Sequence, residues 1–494
     1  MTSELSPEEQ PDSNSFLSTR LGVLTLVLLC AVQFLDIVDG SIVNVALPSI
    51  QRDLNFSQQN LQWVASGYVL TYGGFLLLGG RAADLLGRRR VLVAGLLLFA
   101  CCSLAGGLAQ DQATLITARL LQGIGAALMA PAALALVTTS FKEGVDRHKA
   151  LGIWGGISGL GAAAGVFFGG VLSEGPGWRW VLFVNLPVCV LILVGAFRLL
   201  SGERPAGPRR SFDARGAVLV TGGMLLLVYA LIEAPEHGWA TARTIGELGT
   251  AAVILATFLL NEVTSRDALV PLSIFKVRGL AAADATQLIA FAGFFAMFFF
   301  LTLYMQNVLN WSPIQAGAAY LPVTAFLGIA ATISPRLFAR VGTRPVIATG
   351  CLLSAAGIYD LSRIPVHGHY LTNLLPGLAV MALGLGAVFV GVTVAANAGV
   401  PANQAGLAAG LLSTSLQLGI ALGLAIFSAL ATSGTNQQLS EHAARPDALT
   451  SGYAHALLAS SLLLAAAALI ALRTVNSRGD AEHHVEAKPQ LEML

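Results

Sequence analysis

Apolar residues in this chain fall into long runs of roughly 20, each closed by a short polar or Pro/Gly-rich break. Runs of that length recur from Leu21 to about residue 473. They are too long for barrel strands and do not alternate with period two, so the spanning elements are helices. Splitting at the breaks predicts fourteen spans, at 21–47, 60–80, 91–109, 114–140, 148–172, 181–200, 215–234, 245–262, 281–306, 314–334, 345–362, 373–396, 405–431 and 453–473. The fold class is all-α, integral to a membrane.

Composition agrees: 55% of the residues are hydrophobic and 11% charged, against about 25% charged in soluble domains. The start, MTSELSPEEQPDSNS, is acidic rather than basic and does not read as a cleaved secretory signal. Cys30, Cys101, Cys102, Cys189 and Cys351 all lie in apolar spans, which implies packing rather than a disulfide framework. With a cytoplasmic N-terminus, the inner loops hold 22 Lys and Arg and the outer loops 5, leaving Arg119 alone within a span. The positive-inside rule therefore predicts that both termini are cytoplasmic. Arginine outnumbers lysine 24 to 4, which points to a high-GC bacterium and so to its plasma membrane.

Two basic boxes resemble each other. GRAADLLGRRRV (80–91) aligns with PRLFARVGTRPV (335–346), pairing Arg81 with Arg336, Gly87 with Gly342, Arg89 with Arg344 and Val91 with Val346. The boxes are eight spans apart, so two helices separate two six-helix repeats. The predicted organisation is a tail (1–19), a six-helix bundle (20–200), two inserted helices (201–265), a second six-helix bundle (266–473) and a tail (474–494).

Charge within a bilayer costs about 2.5–3.5 kcal/mol on insertion scales, so intramembrane ions are candidates for function. Asp36 and Asp39 lie in the first span and Arg119 in the fourth. Asp39 and Arg119 fall at similar depth, about 12 and about 8 Å from the outer ends of their spans, and can pair. A helix motion that joins or parts them would load or release a proton, coupling a gradient to movement. A fixed clasp of Asp39, Arg119 and Asn44 is the alternative. Asn44, Gln122, Gln306, Asn397 and Gln417 can bind a ligand or simply join helices. Phe294 and Phe298 can line a pocket or face lipid. Asp284 and Asp360 fall near span ends, where solvent is expected.

Other chemistries are disfavoured. No GxxxxGK[ST] loop is present, which argues against an ATP-driven pump, and no His/Asp/Lys cluster marks a membrane enzyme. His367 and His369 read as outer-loop histidines, so neither a metal nor a cofactor is expected. Nucleic acid is not an expected partner. The glycines of the fifth span, Gly161, Gly165, Gly169 and Gly170, read as close helix packing rather than a dinucleotide loop.

Four motifs then bring the chain close to a known family. DGSIVNVALP (39–48) fits DxTIVNVALP with Ser41 for threonine, and GRAADLLGRR (80–89) fits GxxxDxxGR[RK]. Leu115, Arg119, Gln122, Gly123 and Gly125 fit a fourth-helix motif, and the fifth-span glycines resemble the antiporter motif. Over residues 20–473 the chain resembles the fourteen-span drug:proton antiporters of the major facilitator superfamily. The resemblance implies a proton-coupled antiporter that exports small amphipathic drugs or antibiotics by alternating access, driven by the proton gradient and usually monomeric. It also implies a latch of Gly80, Asp84, Gly87, Arg88 and Arg89, with Asp84 at the start of the thirteenth span. Topology alone is the other reading of that box. Export of one endogenous metabolite or antibiotic is the alternative function. Val166 replaces the proline usual in the fifth-span motif, and residues 405–431 lack a carboxylate, which argues against dicationic drugs.

Overall fold

The computed structural model describes residues 17, 19–141, 145–200, 213–265, 268–398, 400 and 405–477. The described residues form helices and loops. Among the described residues, fourteen helices run for 15 residues or more, numbered here in chain order. The first six are α1 (Arg20–Asp53), α2 (Trp63–Leu86), α3 (Arg88–Gly107), α4 (Gln112–Ser140), α5 (Val145–Glu174) and α6 (Asn185–Leu199). Then come α7 (Ala214–His237) and α8 (Ala242–Thr264). The last six are α9 (Leu280–Asn307), α10 (Leu321–Val341), α11 (Thr343–Leu361), α12 (Leu375–Asn397), α13 (Ala405–Ser440) and α14 (Arg445–Ala471). By length and composition, eleven stretches among the described residues can cross a membrane.

Side-chain caps start several helices by accepting an otherwise orphaned backbone N–H. Thr19 accepts from Gly22 N at 3.0 Å, Asp111 from Thr114 N at 2.8 Å and Asp213 from Gly216 N at 2.9 Å. Hydropathy underestimates several lengths. The first span was expected to end at residue 47, yet α1 continues through Pro48 to Asp53. The thirteenth was expected to end at 431 and runs to Ser440, and the fourteenth begins at Arg445 rather than 453. A helix can outrun its apolar stretch because its backbone bonds persist in water. A left-handed residue turns the chain just beyond both extended helices, Asn55 (φ 53°) after α1 and His442 (φ 65°) after α13.

The two sets of six helices pack alike. In the first, α1 lies on α4, α5 and α6, α2 on α4, and α3 on α4 and α6. Each contact recurs eight helices later: α9 lies on α12, α13 and α14, α10 on α12, and α11 on α12 and α14. The match extends to single residues. A Cβ added to Gly95 would come 2.8 Å from Gly125 O, and one on Gly350 would come 2.8 Å from Gly384 O. Gly87 (φ 98°) joins α2 to α3, and Gly342 (φ 87°) joins α10 to α11. Both need a backbone that side chains disfavour.

The halves meet along α2 and α13, where Gly73 admits Gln417, and α7 packs against both of those helices. They also meet at the end of the bundle that holds Asp53. There Gln306 Nε2 on α9 donates to Val45 O on α1 at 2.9 Å. In the same region, Ile314 N donates to Glu174 Oε2 at 3.1 Å.

Candidate functional site

A polar cluster lies inside the first six helices. Asp39, with 0% exposure, projects from α1 and receives donors from two other helices. Arg119 Nη1 on α4 reaches Asp39 Oδ2 at 2.7 Å. Gln122 Nε2, one turn along α4, donates to Asp39 Oδ1 at 3.0 Å. Asn185 Nδ2 on α6 donates to the same oxygen at 2.7 Å and to Ser103 Oγ on α3 at 3.0 Å. Arg119 is satisfied in turn, donating from Nε to Val64 O on α2 at 3.0 Å and from Nη1 to Gln122 Oε1 at 2.8 Å. Five helices thus meet at one charge pair.

Asp36, one turn earlier on α1, sits in different company. Tyr68 donates its hydroxyl to Asp36 Oδ1 at 2.8 Å, and Tyr72 donates to Oδ2 at 2.8 Å. Phenols supply donors without positive charge. Asp39 is therefore neutralised by an arginine, whereas Asp36 is held by two neutral donors. Tyr68 belongs to both groups, since its ring centroid lies 4.3 Å from Arg119 Cζ.

The extended α1 changes the depth expected for Asp39. Measured to Asp53 it lies about 21 Å from the helix end rather than about 12 Å. The pairing with Arg119 forms all the same. Asn44, proposed as the third member of a clasp, turns to Gly40 O at 2.9 Å, while Gln122, Asn185 and Ser103 complete the shell of Asp39. Sequence reasoning missed Tyr68, Tyr72, Ser103 and Asn185. Tyr68 and Tyr72 are four apart on one face of α2, and Asn185 interrupts the apolar FVNLPVCVL. A polar group that isolated was itself the signal.

The remaining candidates are scattered. Phe294 and Phe298 on α9 belong to an aromatic group, with Phe298 4.3 Å from the Tyr320 ring and Phe291 against Phe389 at 5.8 Å. Gln306 ties α9 to α1, and Gln417 is buried against α2. Asn397 is exposed and bonds its own helix at Thr393 O. Asp360 is exposed, as expected near a span end, but Asp284 is buried at 6% exposure, against expectation. Its helix α9 is packed on α12, α13 and α14, which shield it from solvent.

The glycines of α5 fit between helices. A Cβ on Gly165 would lie 2.7 Å from Ser41 Cβ, and one on Gly169 would lie 2.7 Å from Ile42 O. Gly161 packs on Ile37, and Gly170 faces the turn at Ile314 in the other half. Val166, standing where a proline was expected, presents its carbonyl to Gly317. In the basic box, Gly80 passes Pro131, Arg89 Nη2 donates to Phe197 O at 3.1 Å on α6, and Arg81 Nη1 donates to Ala268 O at 3.2 Å. Arg88 opens α3. The Asp84 side chain and residues 401–404, the other partner of the expected latch, lie outside the described residues.

A helical chain with two packing repeats and an ion pair buried at the heart of one of them matches the Major Facilitator Superfamily profile over residues 29–424. The chain belongs to the major facilitator superfamily. It is a multi-pass membrane transporter of small molecules, not an enzyme. It is 39% identical over 463 residues to the puromycin resistance protein pur8 of Streptomyces alboniger, covering 92% of each chain. It is 37% identical over 456 residues to the cephamycin export protein CmcT of Amycolatopsis lactamdurans, again covering 92% of each. In fold it is similar to a bacterial homologue of the human lysosomal transporter Spinster, solved inward-facing and occupied. The TM-score is 0.63 at 17% identity, covering 92% of this chain and 97% of that one.

Proposed function

We propose that this transporter exports small amphipathic drugs or antibiotics from the bacterial cytoplasm in exchange for protons. It works by alternating access in the plasma membrane as a monomer, with both termini cytoplasmic and the proton gradient its energy source. One observation carries the proton reading: Asp36 and Asp39, one turn apart, are held by opposite means. Asp39 has a cation at 2.7 Å, whereas Asp36 has two phenols. Asp36 is the proton carrier in this reading, and Asp39 with Arg119 is the clasp that senses it.

Protonating Asp36 turns charge-assisted hydrogen bonds into neutral ones of roughly half the strength. Tyr68 is then held less firmly to α1, and its ring shifts under Arg119. A proton on Asp36 is thereby felt at the clasp that gathers five helices. One pH unit supplies about 1.36 kcal/mol per proton, and 100 mV about 2.3 kcal/mol per charge. The aromatic group around Phe294 and Phe298 offers apolar area for the substrate.

The names of the relatives support export of an antibiotic, and both name a single compound. Names of that kind support, as a second reading, a dedicated exporter of one antibiotic. Reconstitution in liposomes with an internal pH dye tests both readings. Substrate-dependent proton flux that Asp36→Asn abolishes, with Phe294→Ala keeping its proton coupling, is expected. Flux that survives Asp36→Asn and dies in Asp39→Asn would move the carrier to Asp39. A response to one antibiotic among a panel would select the dedicated exporter.

A further inference from the structure

Asp284 sits one turn inside α9, in the half that lacks the Asp39 cluster. It is 6% exposed, and both of its carboxyl oxygens are buried with no hydrogen-bond partner. Three residues on, Gln287 is 1% exposed and its Oε1 is also without a partner. Positions three apart on a helix are neighbours, about 5–6 Å between Cβ atoms, and Asp–Gln pairs bond across that spacing. All three orphaned atoms are acceptors when the carboxyl is ionised. The Gln287 amide NH2 could donate, but it reaches neither carboxyl oxygen of Asp284.

Among the described residues, no cation pairs with the carboxylate either. The elements packed against α9 are α12, α13 and α14, the short turns Leu272–Lys276 and Pro313–Ala318, and α1, whose Val45 meets Gln306 at the far end of α9 from Asp284. Neither α12 nor α13 carries an ionisable side chain anywhere along its length. In α14, Arg445, Asp447, Tyr453 and His455 all lie in the first half. Asp284 faces the opposite end, since Gly293 meets Ser460 and Leu464 while Gly279 meets Val475. Lys276, Arg278 and Arg473, which lie closest in the chain to that end, are exposed. An uncompensated buried carboxylate is among the most expensive groups a protein can hold. One proton removes the whole difficulty, because it cancels the charge and makes Asp284 a donor to the acceptor beside it.

We propose that Asp284 and Gln287 form a second proton-binding site, in the C-terminal half, in which the neutral Asp284 carboxyl donates its O–H to Gln287 Oε1. The site builds on the proton-driven reading above and is separate from Asp36, which lies on α1. The only bond made or broken is the O–H. The proton comes from water on loading and returns to water when the carboxyl ionises.

Infrared spectroscopy on the full-length protein in liposomes tests the site directly. The wild type at neutral pH is expected to show a protonated-carboxyl band that Asp284→Asn lacks and Gln287→Leu shifts to higher frequency. In transport, Asp284→Asn should still export substrate while moving about one proton fewer per cycle. A band unchanged in both variants overturns the proposal. So does a wild-type band that disappears on adding methylammonium at constant pH, which would make the occupant an organic cation. If Asp284→Asn does not fold, the Gln287→Leu band decides, a shift supporting the site and no shift overturning it. Wild-type export without proton movement would defeat the preceding reading alone, and the infrared band would still rule on Asp284.

Discussion

The Tyr68 ring centroid lies 4.3 Å from Arg119 Cζ, while its hydroxyl donates to Asp36 at 2.8 Å. One side chain thus holds the unneutralised carboxylate with its polar end and the neutralised pair with its face. Tyr68→Phe keeps the ring and loses the hydrogen bond, which is worth about 1.5–3 kcal/mol when one partner is charged. It should retain the fold but carry fewer protons per substrate, read as dye-reported flux against substrate flux. Tyr68→Leu, which loses the ring as well, should also lower the melting temperature. Equal coupling in wild type and Tyr68→Phe would remove the link.

Removing one member of the buried pair should be costly. Arg119→Ala strands Asp39 among dipoles alone, a loss of about 3–5 kcal/mol for a buried pair. Asp39→Asn combined with Arg119→Gln should cost less than the two single changes together, because neither charge is then left alone. Thermal unfolding of the four proteins completes the cycle, with coupling of about 0.5–3 kcal/mol expected.

The α1–α5 contact depends on absent side chains. Gly165→Ala pushes a methyl to 2.7 Å from Ser41 Cβ and 2.9 Å from Val38 O, so it should destabilise by about 1–3 kcal/mol. Gly222→Ala on α7 meets nothing within 4 Å and should be neutral or slightly stabilising. The pair of melting curves separates packing from mere loss of glycine.

Acid should loosen the start of α7. Burial alone would raise the Asp213 carboxyl, but donors at Gly216 N, Asn261 Nδ2 and Leu269 N outweigh it and hold the group below its ordinary value. A depressed folded value means stabilisation that is complete above the unfolded value, about 3.9, and is lost as pH falls through the folded one. Asp213→Asn should flatten the decline of melting temperature between neutral pH and about pH 3. A parallel decline in both proteins would contradict it.

Phe294 is half-buried and stacks on Phe298 with centroids 6.5 Å apart. Phe294→Ala should weaken binding of an apolar substrate by about 1–2 kcal/mol, roughly five- to thirty-fold in apparent affinity. Protons moved per substrate should stay the same. A change in stoichiometry at unchanged affinity would remove Phe294 from the binding surface.

Much of this was legible in the chain. Runs of about 20 apolar residues marked the helices, and Asp39 and Arg119 stood out because intramembrane charge is expensive. Helix ends were not legible, since α1 and α13 continue past their apolar stretches on backbone bonds that hydropathy does not weigh. The partners of Asp36 were hidden for another reason: Tyr68 and Tyr72 look apolar enough to pass as packing until their hydroxyls are placed. Asp284 was misjudged because distance from a span end says nothing about which helices cover it. A second echo of the repeat was also overlooked. Leu54-Asn55-Phe56-Ser57 and Leu309-Asn310-Trp311-Ser312 are 255 positions apart, the same separation as Gly87 and Gly342. Asn55 and Asn310 both turn the chain with positive φ, and Ser57 and Ser312 both cap the turn that follows.

That shared interval sets the two halves in register, and their matching packing confirms it, with Ile37 meeting Gly161 as Ala292 meets Gly423. Phe291 and Phe294 then occupy the places that Asp36 and Asp39 occupy in the first half. The glycine contacts of α4 and α12 likewise set Leu378 opposite Arg119. The two scaffolds match in packing and differ in chemistry, one carrying acids and an arginine where the other carries rings and aliphatic bulk. Under the proposed exchange, substitutions at Phe291, Phe294 and Leu378 would reshape the cargo surface without touching Asp36, Asp39 or Arg119.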